Sequence, residues 1–174
     1  MNTIETDRLV MRLPVRADID DFAALWADPE MLKDLPFEPL TLVECWPRLL
    51  RIAGSWALLG YGSWFVFEKS GAFVGVVGFF DAAREFGADF DDHRELGYVL
   101  SPAHAGKGYA TEACSAAVGW MDRQSFGDRT VCMIGSDHIA SIRVAEKCGY
   151  TLLREAQDKD GDIVLMTREN TVVT

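Results

Sequence analysis

The chain has 174 residues, 49% of them hydrophobic and 25% charged, with a formal net charge of −10. That length can bury a core without disulfide or metal staples, and that apolar content excludes a disordered chain. The acidic balance, with no basic stripe carrying interleaved aromatics, argues against a nucleic-acid binder, and no apolar run of about 18 residues marks a membrane span.

The opening residues, Met1-Asn2-Thr3-Ile4-Glu5, lack the basic and apolar regions of a secretory signal, so a cytoplasmic protein is expected. Arg8 to Leu13 reads as a strand stopped by Pro14. Asp18 stands where a helix cap belongs, ahead of Ile19, Phe22, Ala23 and Trp26 at three- and four-residue spacing, and Pro29 ends that helix. Pro36 and Pro39 make 29–40 an irregular link. Thr41 and Glu44 form a capping-box pattern opening a helix to about Leu59, in which Pro47 is tolerable only near the start. Strands follow over 63–68 and 72–80, joined by a hairpin at Lys69-Ser70-Gly71. The acidic, glycine-bearing stretch 81–92 reads as a mobile loop. A strand over 94–100, a helix over 107–124, a strand over 129–135, a helix over 138–148 and a hairpin of 150–157 with 162–168 complete the chain. The order β-α-α-β-β-β-α-β-α-β-β is that of a mixed α/β sheet with helices on both faces, in one domain spanning 1–174.

The cysteines, Cys45, Cys114, Cys132 and Cys148, show no metal-ligand spacing and no histidine cluster, so no metal is expected and they read as buried small hydrophobes. The chemistry is concentrated elsewhere. Residues 95 to 111 read ELGYVLSPAHAGKGYAT: an apolar strand, a short loop, and a glycine-bearing turn that opens a helix. Backbone N–H groups at a helix N-terminus have no intrahelical partner and carry the positive end of the dipole, which suits a phosphate. Glycines let the backbone approach the ligand closely, and Lys107 adds a cation. The turn lacks the Gly-Lys-Ser/Thr ending of a nucleotide-binding phosphate loop and the third glycine of a dinucleotide fingerprint.

With the second segment, Ser136-Asp137-His138-Ile139-Ala140-Ser141-Ile142-Arg143-Val144-Ala145-Glu146-Lys147-Cys148-Gly149-Tyr150, the pair resembles the GNAT superfamily of N-acetyltransferases. It is most like the ribosomal-protein-acetylating RimJ/RimL branch, with its strings EIGYxL…GKGYATEA and DNxASxRVxEKxGF. The opening TDRLVMRLPVRADIDDF, residues 6 to 22, and Gly62-Ser63-Trp64-Phe65 are similar to that branch as well. The resemblance implies acetyl-CoA as co-substrate, an amine acceptor (a protein N-terminus or a small molecule) and direct attack in a ternary complex. Oligomeric state is not implied.

The resemblance also assigns residues. It gives the pyrophosphate the main-chain amides of Ala105, Gly106, Lys107, Gly108, Tyr109 and Ala110, with Thr111 adding an N–H and a hydroxyl. Ala105 departs from the glutamine or arginine usual there. The pantetheine arm would bond the backbone of Val99 and Leu100, where the strand splays from its neighbour. Glu95 is the general-base candidate, with His93 behind it; the plainer alternatives for Glu95 are an exposed residue at the strand start or a bond to a neighbouring segment. Ser141 would donate to the leaving thiolate, or simply pack on its helix. His138 replaces a cofactor-contacting asparagine, and Arg143 and Lys147 face the 3′-phosphate end or solvent. The tyrosine many relatives use as acid is Ala145 here. A binding module that holds acyl-CoA without turnover is the alternative function.

Overall fold

The computed structural model describes residues 2–33 and 38–171. Its spine is an eight-stranded sheet in the order β1-β2-β3-β4-β5-β6-β8-β7. The first part comprises β1 (Ile4–Glu5), β2 (Leu9–Arg12), β3 (Ser63–Glu68), β4 (Phe73–Phe80) and β5 (Arg94–Leu100). These pair antiparallel throughout. β6 (Arg129–Gly135) runs parallel to β5, and β8 (Gly161–Glu169) returns between β6 and β7 (Thr151–Asp158). This mixed sheet is the α/β architecture expected from the element order, with β1 added.

The helices are α1 (Ile19–Ala27), the short α2 (Pro29–Leu32), α3 (Leu42–Leu59), the short α4 (Ala88–Asp91), α5 (Tyr109–Asp122) and α6 (Ile139–Lys147). α2 stands inside the expected irregular link, of which 34–37 lie outside the described residues. α3 opens as its sequence predicts: Thr41 accepts the Glu44 N–H, and Glu44 accepts the Thr41 N–H. It closes on Gly60 at φ +78°, a conformation that costs glycine little. Pro47 is its sixth residue, so the helix runs through one missing N–H.

Asp18 does not cap α1. Its carboxylate accepts the Val15 N–H at 2.7 Å and both Arg12 nitrogens at 2.8 and 2.6 Å, so it stitches a one-turn 3-10 helix to β2. This arrangement outcompetes the cap because Arg12 and the Val15 N–H together offer the buried carboxylate three donors at once.

Two layers of core cover the sheet. α5 and α6 pack on one face over Leu9, Met11, Trp64, Val77 and Leu96, where Trp56, Trp64 and Trp120 meet edge-on at 4.7 to 5.4 Å. α1 and α3 cover Phe65, Phe67 and Val76 on the other. Trp56 and Trp64 are core, and Trp56 donates its ring N–H to Ser63 O at 2.9 Å.

Candidate active site

β5 and β6 are joined at two positions only, Arg94 to Thr130 and Glu95 to Val131. Beyond them β5 stays with β4 as far as Leu100, and β6 stays with β8 as far as Gly135. The two strands therefore part, and Leu96–Leu100 runs along the opening with no strand partner on that side. A free strand edge leaves backbone donors and acceptors that need a ligand or water.

Which residues offer those groups follows from the β4 ladder. Ser101 donates its N–H to Val74 O at 2.9 Å. Val99 stands opposite Val76, and Gly97 opposite Gly78. In an antiparallel pair every second residue turns both backbone groups to its partner. Val99 thus turns its N–H and C=O to β4, and its carbonyl lies where a Cβ on Gly75 would collide at 2.2 Å. Tyr98 and Leu100 face the opening. Of the two backbones expected to meet a pantetheine arm, Leu100 turns to the opening and Val99 turns to β4; Tyr98 is the other residue that turns to the opening.

The opening leads to the glycine turn. Ala105 to Gly108 is exposed, and Gly106 and Gly108 hold φ of +75° and +78°. A Cβ on Gly106 would meet nothing within 4 Å, so the turn is open on that side. α5 begins at Tyr109, and its first internal bond is Glu112 N–H to Gly108 O. The amides of Gly106 through Thr111 find no protein acceptor among the described residues. These converging donors at a helix N-terminus fit a pyrophosphate.

Lys107 is less available than its sequence suggested. Its ammonium stands 3.3 Å from Glu68 Oε1, which also accepts the Tyr109 hydroxyl at 3.0 Å and lies 3.2 Å from His104 Nδ1. The Tyr109 ring is thereby tied down in the turn. Lys147 and Arg143 are exposed on α6. His138 caps α6: its Nδ1 accepts the Ser141 N–H at 3.2 Å. A histidine in the asparagine position thus does the capping work an asparagine side chain would do.

Glu95 and Ser141 lie on opposite faces of the sheet, Glu95 at the last pair before the strands part. β5 side chains alternate, so Leu96, Tyr98 and Leu100 pack toward α5 and α6 while Glu95 and Val99 face the other way. Glu95 shares its face with its parallel partner Val131, which packs under Phe90 of α4. It is buried, and Arg84 grips it with two bonds, Nε to Oε2 at 2.6 Å and Nη2 to Oε1 at 2.7 Å. Burial pushes the Glu95 pKa up, and Arg84 pulls it back only in part, with Asp91 adding to the rise.

Arg84 belongs to the stretch read as a mobile loop, yet that stretch is pinned. Asp91 accepts the N–H groups of Arg84 and Gly87, and Arg154 of β7 bonds Asp89 and Phe86 O. His93 is half-buried and donates its backbone N–H to Phe90 O. No sequence pattern announced the Arg84–Glu95 pair, because two charges eleven residues apart have no fixed periodicity.

On the α6 side, Ser141 Oγ lies 2.8 Å from the Tyr98 hydroxyl. Sequence reasoning passed over Tyr98 as part of an apolar strand. Ala145 is buried, so no polar group stands at that position. Burial raises the thiols of Cys45 and Cys132. Cys114 is raised well above the usual range, by its bond to Cys148 first and then by burial. Cys148 is lowered to about 7 by the bond from Cys114, against its own burial. It sits at the far end of α6, two turns or about 10 Å from Ser141, too far for the two to meet one reacting atom. No group of described residues has the makings of a metal site.

The acetyltransferase (GNAT) domain model matches residues 8–151. An uncharacterized N-acetyltransferase p20 of Bacillus licheniformis is 25% identical over 169 residues, covering 94% of this chain and 92% of that protein. Among solved structures, a putative GnaT-family acetyltransferase from Bordetella pertussis superposes with a TM-score of 0.86 at 29% identity, covering 97% of this chain and 99% of that one. RimL, a ribosomal L7/L12 alpha-N-protein acetyltransferase in complex with coenzyme A, shares the fold with a TM-score of 0.83 at 16% identity, covering 98% and 99%. A model match over most of the length, on a sheet whose two central strands part beside a glycine-bearing helix start, leaves one conclusion: the chain belongs to the GNAT acetyltransferase family.

Proposed function

We propose that residues 1–174 form one acetyltransferase domain that moves the acetyl group of acetyl-CoA to a primary amine, by direct attack with both substrates bound. The observation that carries this reading is the pair of unclaimed backbone sets at one end of the sheet, on Tyr98 and Leu100 at the parted edge of β5 and on the bare amides of Gly106 through Thr111. Acetyl-CoA supplies an activated thioester. The chain's own residues do the rest.

Backbone groups of Tyr98 and Leu100 would hold the amide-bearing arm, and the amides of the turn its pyrophosphate. The amine would approach on the α4 side of the sheet, the face that carries Glu95. An ammonium must lose its proton before it attacks, and a carboxylate raised above the ordinary range is the stronger base for that transfer. Arg84 keeps the Glu95 side chain fixed and part of its charge compensated. The chain net charge of −10 favours a cationic acceptor in the encounter. The likeness of residues 6 to 22 to the ribosomal-protein-acetylating branch supports a protein N-terminus, and a small amine meets the same chemistry.

A screen of amines and N-terminal peptides with acetyl-CoA, following release of free thiol, tests the reading. Glu95→Gln is expected to lower turnover by roughly 10²- to 10⁴-fold, the usual range for loss of a general base. Its acetyl-CoA affinity by calorimetry should barely change. A parent that binds acetyl-CoA and releases no thiol with any amine would point instead to a binding module.

A further inference from the structure

We infer that Tyr98 is a positioning residue for Ser141: its phenol donates to the serine oxygen and so turns the serine proton toward the coenzyme sulfur. The inference rests on the acetyl-CoA reading above. Its observation is the 2.8 Å contact between two hydroxyls from separate elements, β5 and α6. That contact spans the side of the opening where β5 has left β6.

A serine in the first turn of a helix usually spends its hydroxyl on a local carbonyl. Ser141 spends its hydroxyl on Tyr98 instead, while its N–H is occupied by His138 Nδ1, so cap and phenol fix it from two directions. Each hydroxyl has one proton, so the pair can be ordered in two ways. If Ser141 donates to Tyr98, a departing thiolate meets serine lone pairs. If Tyr98 donates, the serine proton is free to face the sulfur. An anion at the end of a hydrogen-bond chain selects the second order, because each donor polarises the next.

Tyr98 does not surrender its proton. Burial holds its pKa near 12, while an ordinary thiol sits at about 8.5, so transfer from phenol to thiolate is strongly uphill. The balance closes without it. The amine loses one N–H as the C–N bond forms, the C–S bond breaks with its electron pair on sulfur, and that proton neutralises the thiolate. Tyr98 and Ser141 orient; they transfer nothing net.

The test compares the affinities of coenzyme A and desulfo-coenzyme A by calorimetry across pH, for the parent, Tyr98→Phe, Ser141→Ala and the double variant. The parent should prefer coenzyme A, increasingly so as the thiol ionises. Tyr98→Phe should cut that preference about tenfold and lower kcat in step. The double variant should be no worse than Ser141→Ala, since the phenol acts only through the serine. A purely structural tyrosine would weaken both ligands equally and add its loss to that of Ser141→Ala; either result overturns the inference. Ser141→Ala leaves the Tyr98 ring in the core, so an unchanged preference in that variant overturns it even if Tyr98→Phe folds poorly. A parent that binds neither ligand removes the acetyl-CoA reading itself, and the positioning role with it. A parent that prefers coenzyme A, with Tyr98→Phe unchanged, removes the positioning role alone.

Discussion

Glu95 carries two opposed influences that a sequence cannot weigh. Burial beneath α4 raises its pKa, and the two bonds from Arg84 lower it, with burial ahead. Removing Arg84 therefore has a defined sign. In Arg84→Met the lowering influence is gone, Glu95 holds its proton to higher pH, and less of the basic form exists at neutrality. The acidic limb of the kcat/KM profile should move to higher pH and turnover at pH 7 should fall, with the alkaline limb in place. A limb that stays where the parent has it would make Arg84–Glu95 a buried structural pair and nothing more. The residue types were legible here and their partners were not: Glu95 and Ser141 stood out in their motifs, whereas Arg84 and Tyr98 acquire meaning only from what they touch.

The start of α5 is held by a segment a hundred residues away in sequence. Glu112, in the first turn, accepts the Thr6 hydroxyl at 2.6 Å, the Arg8 N–H at 3.0 Å and Arg8 Nε at 2.6 Å. Arg8 also donates to Lys107 O at 2.7 Å and lies over the Tyr109 ring. One arginine thus fixes the glycine turn from outside, leaving the amides free to face a ligand. Arg8→Met should raise the dissociation constant for acetyl-CoA about tenfold, or about 1.4 kcal/mol, because the turn must be ordered during binding. The loss should fall on KM for acetyl-CoA more than on kcat; titration of both constants checks it, and a change in kcat alone would contradict it. Gly108 belongs to the same device. A side chain there would meet only Arg8 Nη2 at 3.5 Å, so space is available, but φ of +78° costs any other residue roughly 1–2 kcal/mol.

Across the whole molecule, the sheet is nearly two sheets, with the β1–β5 part and the β6–β8 part sharing two residue pairs. Helices reinforce the seam. Asp122 at the end of α5 takes two bonds of 2.7 Å from Arg168 of β8, both side chains nearly buried. Burial opposes ionisation of Asp122, yet the bonds from Arg168 and Thr171 outweigh it and its pKa lies below the ordinary value. Asp18 follows the same pattern against Arg12 and the Val15 N–H. A carboxyl whose folded pKa is depressed stabilises the fold above its unfolded value of about 3.9, and that contribution drains away as pH falls through the folded value. The parent melting temperature should therefore drop steeply below about pH 4. Asp122→Asn should cost about 3 kcal/mol at neutral pH, since it strands Arg168, and should flatten the acid decline. Thermal melts from pH 2 to 7 measure both; an acid limb as steep as the parent's would assign the transition to other carboxyls.

The sequence by itself determined the local structure and the glycine-turn motif. The Thr41–Glu44 capping box, the hairpin at Gly71 and the glycine turn before α5 are all written within a few residues of chain, where spacing and φ preference act directly. Tertiary structure alone decided where β5 leaves β6, which backbone groups that exposes, and which distant side chains meet at the opening. Asp18 makes the difference plain: by local rules it caps a helix, and in the fold it serves an arginine on a neighbouring strand. A parallel pairing, an ion pair across a loop and a hydroxyl contact between a strand and a helix 43 residues later are long-range contacts. Their energy comes from burial and closure of the whole chain, which no local pattern encodes.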